Sequence, residues 1–167
     1  MKENAKRKST RLKNYNYSQN GAYFLTICTK DRKMLLGSVG AGVPDGPQVH
    51  LSEYGAEVEK VICSINDTYE HISIEKYVVM PNHVHMIVLI DRGANGPSRT
   101  PAPTNADIPA LVSVFKRFVN RRTGQNIWQR SYYEHVIRGG QDYLEIWKYI
   151  DENPLRWNED EYAKTDG

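Results

Sequence analysis

The stretch from Ile72 to Ile90 restricts the fold more than any other part of the chain. It reads as two strand-like runs, Ile72 to Met80 and His83 to Ile90, with only Pro81 and Asn82 between them. Proline gives no N–H to a ladder, so this pair breaks or turns the strand. The surrounding pattern is strand, helix, strand, strand, helix, strand, helix. Ala22 to Thr29 alternates, with Tyr23, Leu25 and Ile27 facing one way and Phe24, Thr26 and Cys28 the other. Leu51 to Asn66 carries Val58, Val61, Ile62 and Ile65 at helical spacing behind a candidate N-cap, Ser52. Asp107 can cap a helix running to about Arg122, with Leu111, Val112, Phe115, Phe118 and Val119 as its buried face. Ile127 to Arg138 looks extended, and Gln141 to Glu152 is helical up to Pro154. Gly37 to His50 and Arg92 to Asn105 read as loops. The first six elements match an α+β ferredoxin-like antiparallel sheet with helices on one face, and the last helix is an addition.

At 167 residues the chain suits one domain: a basic arm over 1–20, a domain over 21–157 and a loose acidic tail over 158–167. The net charge is only +2, but it is unevenly spread. Residues 1–13 and 116–138 each hold six bases and one acid, leaving −8 on the remainder. Paired basic segments on a near-neutral chain suggest a polyanionic partner. No apolar run is long enough to span a bilayer, and polar Asn14 to Tyr17 follow the basic start, which argues against a secretory signal. Cys28 and Cys63 form no metal or redox motif and read as reduced, buried thiols. A cytoplasmic protein is expected.

His83 and His85 are two apart on a strand and therefore share a face with Ile87 and Leu89. Two imidazoles so placed can converge on a metal; they can equally be half-exposed sheet histidines. Burial without partners would be costly. Tyr149 and Asn153, at i and i+4, stack on one helix face and offer a hydroxyl and an amide oxygen. Alone, they also suit a boundary aromatic and a helix end.

Four stretches taken together are more specific. Gly21-Ala22-Tyr23-Phe24-Leu25-Thr26, Tyr77 to His85 (YVVMPNHVH), Trp128 to Arg138 (WQRSYYEHVIR) and Tyr149 to Trp157 (YIDENPLRW) resemble, in order, the single-tyrosine HUH transposases, most closely their REP-associated tyrosine transposase branch. The resemblance implies a ferredoxin-like fold. It also implies His83, His85 and Asn153 as ligands for Mg²⁺ or Mn²⁺, and Tyr149 as a nucleophile forming a 5′-phosphotyrosine on single-stranded DNA. Related insertion-sequence transposases usually carry Gln where Asn153 stands. His135 falls in a shared block, with a structural or supporting role beside the site.

The implied partner is a REP-type DNA hairpin with a single-stranded tag. Lys2, Lys6, Arg7, Lys8, Arg11 and Lys13 of the arm, with Lys116, Arg117, Arg121, Arg122 and Arg130, are candidates for phosphate contacts. Tyr15, Tyr17, Tyr132 and Tyr133 are candidates for base stacking. The arm also reads as a solvated end. No nucleotide-binding loop or membrane segment is expected, and monomer and homodimer both remain open. The alternatives to a nicking and rejoining enzyme are a catalytically inactive hairpin-binding protein of this fold and a metal-dependent hydrolase that uses water.

Overall fold

The computed structural model describes residues 20–40, 46–93 and 107–163. The basic arm, with Lys6, Arg7, Lys8, Arg11, Lys13 and Tyr15, lies outside them. Six strands and three helices are present among the described residues: β1 (Gly21–Cys28), β2 (Gly37–Gly40), β3 (Gln48–Leu51), α1 (Glu53–Thr68), β4 (Ile72–Met80), β5 (His83–Ile90), α2 (Asp107–Thr123), β6 (Tyr133–Ile137) and α3 (Gly140–Glu152). No helix among these residues is long and apolar enough to cross a membrane.

The main sheet has the order β4-β5-β1-β6, and every pairing is antiparallel. Pro81 and Asn82 turn the chain between β4 and β5, placing Met80 opposite His83. Alternation along β1 sends Tyr23, Leu25 and Ile27 into the large core beneath α1 and α2. Phe24 points to the other face, where it meets Ile87 of β5 and Ile150 of α3. The ferredoxin-like arrangement thus has α1 and α2 on one face, and the added helix covers part of the other.

The start of α1 is fixed locally. Ser52 Oγ accepts from Gly55 N at 3.1 Å and donates to Leu35 O at 2.6 Å. Leu36 O lies where a side chain at Gly55 would begin, so the close approach requires glycine. Leu36 N in turn donates to Pro81 O at 2.9 Å, bracing the turn before His83.

Four expectations change. Gly37 to His50 is not purely a loop, because β2 and β3 pair there as a small ladder. The extended stretch from Ile127 forms a regular strand only from Tyr133; before that, Trp128 makes one isolated bridge to Thr29. Phe118 is exposed, because the apolar stripe of α2 is narrower than its apolar composition. Cys28 is buried as expected, but Cys63 is exposed on α1, one position past the Ile62 contact.

Candidate active site

β5 presents His83 and His85 on the face that α3 covers, and both are almost fully buried. Their rings lie 4.4 Å apart between centroids. The tautomer of His83 follows from its neighbour. Asn82 Nδ2 donates to Tyr162 O at 2.6 Å and to Arg32 O at 3.3 Å, which orients the amide. Asn82 Oδ1 can then only accept, so His83 Nδ1–H donates to it at 2.8 Å. That leaves His83 Nε2 with a lone pair, and this atom is buried with no hydrogen-bond partner among the described residues.

His85 is held in a similar way. Thr26, its register partner on β1, pairs through Oγ1 with His85 Nδ1 at 2.8 Å. His85 Nε2 then faces the Tyr149 hydroxyl at 3.5 Å. In both imidazoles a fixed neighbour holds Nδ1 and Nε2 points into the site, as metal-binding histidines are commonly oriented.

α3 brings Tyr149 and Asn153 to the same place. Tyr149 is partly exposed, with its ring edge-on to Phe24 at 6.1 Å and 5.2 Å from the His85 ring. Asn153 is buried; its Nδ2 donates to Asp160 Oδ2 at 3.0 Å. Asn153 Oδ1 is thereby oriented too, and it is buried without a partner among the described residues.

The C-terminal stretch adds residues that the sequence reading missed. It does not hang loose after Trp157. Asp160 is buried, accepts from Asn153 and also accepts from Tyr162 N at 2.9 Å. Donor atoms of His83, His85 and Asp160 lie within 4.8 Å of one another. The Tyr162 ring packs on His83 at 4.7 Å and the Trp157 ring stacks beyond it at 6.1 Å. Arg32 secures this stretch by donating from Nη1 to Glu161 O at 3.3 Å. Asp31 and Arg32 have φ of 55° and 51°, a left-handed backbone rare for residues with side chains. That turn delivers the Arg32 carbonyl to Asn82.

Burial sets the electrostatics. It pulls His83 well below the usual imidazole range, with the Asp160 carboxylate and the Asn153 contact pulling back. It lowers His85 as well, helped by His83. Both rings are therefore neutral and available as ligands at neutral pH. Burial also pushes Tyr149 up to about 12, reinforced by Asp160 and Glu161 and opposed by the Asn153 contact. Cys28 stands opposite His83 in the ladder, and burial pushes its thiol up to about 11, so it stays protonated.

The donor set fits a divalent cation. Two neutral imidazole nitrogens, an orphaned amide oxygen and a carboxylate converge, and two of those atoms have no other partner among the described residues.

The remaining candidates separate. His135 Nε2 lies 2.9 Å from Asp142 Oδ2, which also accepts from Arg138 N at 2.9 Å, so His135 ties β6 to the first turn of α3. Lys116 donates to the carbonyls of Gln129, Arg130 and Ser131. Arg122 pairs with Glu57 of α1 at 3.0 Å. Arg121 is exposed on α2, and Arg117 and Arg130 line a separate cleft.

No family model matches the chain. It is 34% identical over 170 residues to an uncharacterised protein of Haemophilus influenzae, covering 93% of this chain and 92% of that protein. It is 24% identical over 140 residues to an Escherichia coli REP-associated tyrosine transposase, covering 84% of this chain and 70% of the relative. A solved REP-associated tyrosine transposase, bound to a REP hairpin, superposes with a TM-score of 0.62 at 23% identity, covering 87% of this chain and 73% of that one. That likeness establishes a shared fold.

Proposed function

We propose that the chain is a REP-associated tyrosine transposase, like its relatives of that name, and that it cleaves and rejoins single-stranded DNA beside REP-type hairpins, with Tyr149 as nucleophile. The observation that carries this reading is the convergence of the Tyr149 hydroxyl on His85 Nε2, next to two buried and unpartnered ligand atoms, His83 Nε2 and Asn153 Oδ1.

Tyr149 Oη attacks a backbone phosphorus. The P–O3′ bond breaks, the phenolic proton leaves to solvent while the departing O3′ takes one up, and a 5′-phosphotyrosine and a free 3′-hydroxyl result. Attack by a 3′-hydroxyl on that phosphotyrosine reseals the strand, so no nucleotide cofactor is required. His83, His85 and Asn153, with Asp160 beside them, would hold Mg²⁺ or Mn²⁺, which supplies polarisation of a phosphate oxygen and stabilises charge on the leaving oxygen. Asn82 and Thr26 fix the imidazoles before the ion arrives. Phe24 and His85 pack against the Tyr149 ring and limit its swing. The partial exposure of Tyr149 leaves room for a DNA strand.

The test uses hairpin oligonucleotides with a single-stranded foot, Mn²⁺ and a denaturing gel. The unaltered chain is expected to give a covalent adduct. Tyr149→Phe is expected to bind the hairpin within about twofold and give none, since the phenyl ring keeps the packing. Persistent adduct in that variant would refute the assignment.

A further inference from the structure

We propose that Arg32 is a positioning residue of the metal centre, which clasps the C-terminal stretch to the turn between β4 and β5 and so sets the aim of His83 and Asn153. The inference rests on the reading of His83, His85 and Asn153 as metal ligands. The two ligand atoms without a partner among the described residues, His83 Nε2 and Asn153 Oδ1, belong to side chains held at their other ends. Asn82 Oδ1 holds His83 Nδ1 at 2.8 Å, and Asp160 Oδ2 holds Asn153 Nδ2 at 3.0 Å. Each holder is itself held. Asn82 takes its orientation from the carbonyls of Arg32 and Tyr162, and Asp160 Oδ1 accepts from Tyr162 N at 2.9 Å. Tyr162 therefore stands behind both ligands, and whatever secures Tyr162 bears on their geometry.

Arg32 supplies that hold. Its Nη1 donates to Glu161 O at 3.3 Å, and its guanidinium lies over the Tyr162 ring, 5.5 Å from the centroid. A planar fork can reach a carbonyl and cover an aromatic face at once, whereas a lysine ammonium offers a single point charge. The ring so covered packs 4.7 Å from the His83 ring and edge-on to that of His85 at 5.7 Å. Through its own carbonyl Arg32 also meets Asn82 Nδ2 at 3.3 Å. Its main chain and its side chain thus bring two carbonyls to one amide, the first directly and the second by way of Tyr162.

The backbone at this point supports a functional role. Asp31 and Arg32 take φ of 55° and 51°, a region that glycine enters easily and residues with side chains rarely do. Such conformations persist where the surroundings over-determine them, and they collect at functional sites. Here the surroundings are firm. Thr29 N donates to Asn82 O at 2.9 Å, Thr29 Oγ1 to Lys33 O at 2.8 Å, and Arg32 N to Thr29 O at 3.1 Å. Lys30 N donates to Ile127 O at 2.8 Å. The turn is pinned by neighbours on both sides, and a glycine at position 32 would keep its path while losing the clasp.

Isothermal titration calorimetry with Mn²⁺ alone, on the full chain without DNA, tests this. Arg32→Gly suits the backbone at that position, so in EDTA it should melt close to the unaltered chain. Its Mn²⁺ affinity should nevertheless fall about tenfold or more, the range for loss of a partner that orients a ligand. Arg32→Lys keeps the charge but not the fork, and should lose an intermediate amount. Adduct formation by Arg32→Gly should approach the unaltered rate at saturating Mn²⁺ and fall behind only as the ion becomes limiting, a split that general loosening of the fold does not produce. In an Asn82→Ala background Arg32→Gly should cost less affinity than it does alone, because part of its effect runs through that amide. Unchanged Mn²⁺ affinity in both Arg32 variants, or losses that simply multiply in the double variant, overturns the proposal. So does faster adduct formation in Arg32→Gly, which would make the C-terminal stretch a cover over the site instead of its support. If the Arg32 variants and the unaltered chain bind Mn²⁺ alike, only the clasp is wrong; if the unaltered chain binds none, the metal reading of the site fails with it.

Discussion

At the scale of single residues, the two histidines differ in what holds them, and this yields separable predictions. His83 depends on an amide whose orientation is locked by two carbonyls, whereas His85 depends on one hydroxyl. Thr26→Val keeps the shape and deletes that hydroxyl. His85 then loses its Nδ1 partner, and cleavage at limiting Mn²⁺ should fall by about 10–100-fold, the usual effect of removing a ligand's supporting partner. Excess Mn²⁺ should recover much of it, as a titration of single-turnover rates would reveal; a loss that no Mn²⁺ concentration relieves would count against the role. Asn153→Asp makes a sharper distinction. It puts a second carboxylate beside Asp160, and without an ion the two repel. The variant should melt lower than the unaltered chain in EDTA, by about 5 °C, yet gain more than the unaltered chain from added Mn²⁺. An equal metal-induced rise in both proteins would mean that Oδ1 of Asn153 does not face the ion.

At the scale of elements, the position of α3 decides whether Tyr149 reaches His85. Three anchors hold the helix. His135 and the Arg138 N–H engage Asp142 in its first turn, Lys76 of β4 pairs with Asp151 and lies over the Trp147 ring, and Ile150 fills the small core with Phe24 and Ile87. Ile150→Ala should cost about 3 kcal/mol in urea unfolding, as deletion of a fully buried isoleucine generally does. It should also slow adduct formation more than it weakens hairpin binding, because the helix carrying the nucleophile loses its one fully buried contact. Strand alternation in β1 and β5 made the sheet faces and the histidine pair legible in sequence, and Ser52 marked the start of α1, since each of these is local. The fold of the C-terminal stretch was not legible. Tyr162 reaches the site through contacts about eighty residues away in sequence, to Asn82 and His83, and Asp160 joins it through Asn153; an acidic, turn-rich segment gives no periodic signal of that. Thr26 was half legible: its face was read correctly, but its pairing with His85 needed the β1–β5 register. Charge runs also do not reveal which members are bonded within the fold, as Lys116 is to the carbonyls of the 129–131 passage and Arg122 is to Glu57.

At the scale of the whole molecule, burying two imidazoles for a metal makes folding depend on pH in a fixed direction. In the unfolded chain a histidine titrates near 6.5; in the fold, burial depresses His83 to about 4 and lowers His85 as well. Below about pH 6.5 the unfolded chain therefore binds protons that the folded chain refuses, and stability falls with decreasing pH. The contribution is fully present above the unfolded value and is lost progressively down to the folded one, after which His83 adds no further slope. Thermal melts in EDTA between pH 7.5 and pH 4.5 should show this decline. His85→Gln should show a smaller decline, because one of the two linked protons is gone. Carboxylates that lose favourable contacts at low pH contribute to both proteins alike, so the difference between the two curves isolates the imidazole. Mn²⁺ binds only the neutral rings of the folded chain, so it should raise the melting temperature most at the upper end of the range and steepen the dependence for the unaltered chain. Parallel curves for the two proteins in EDTA would show that His85 is solvated in the fold, and the preformed site on which the nucleophile depends would have to be abandoned.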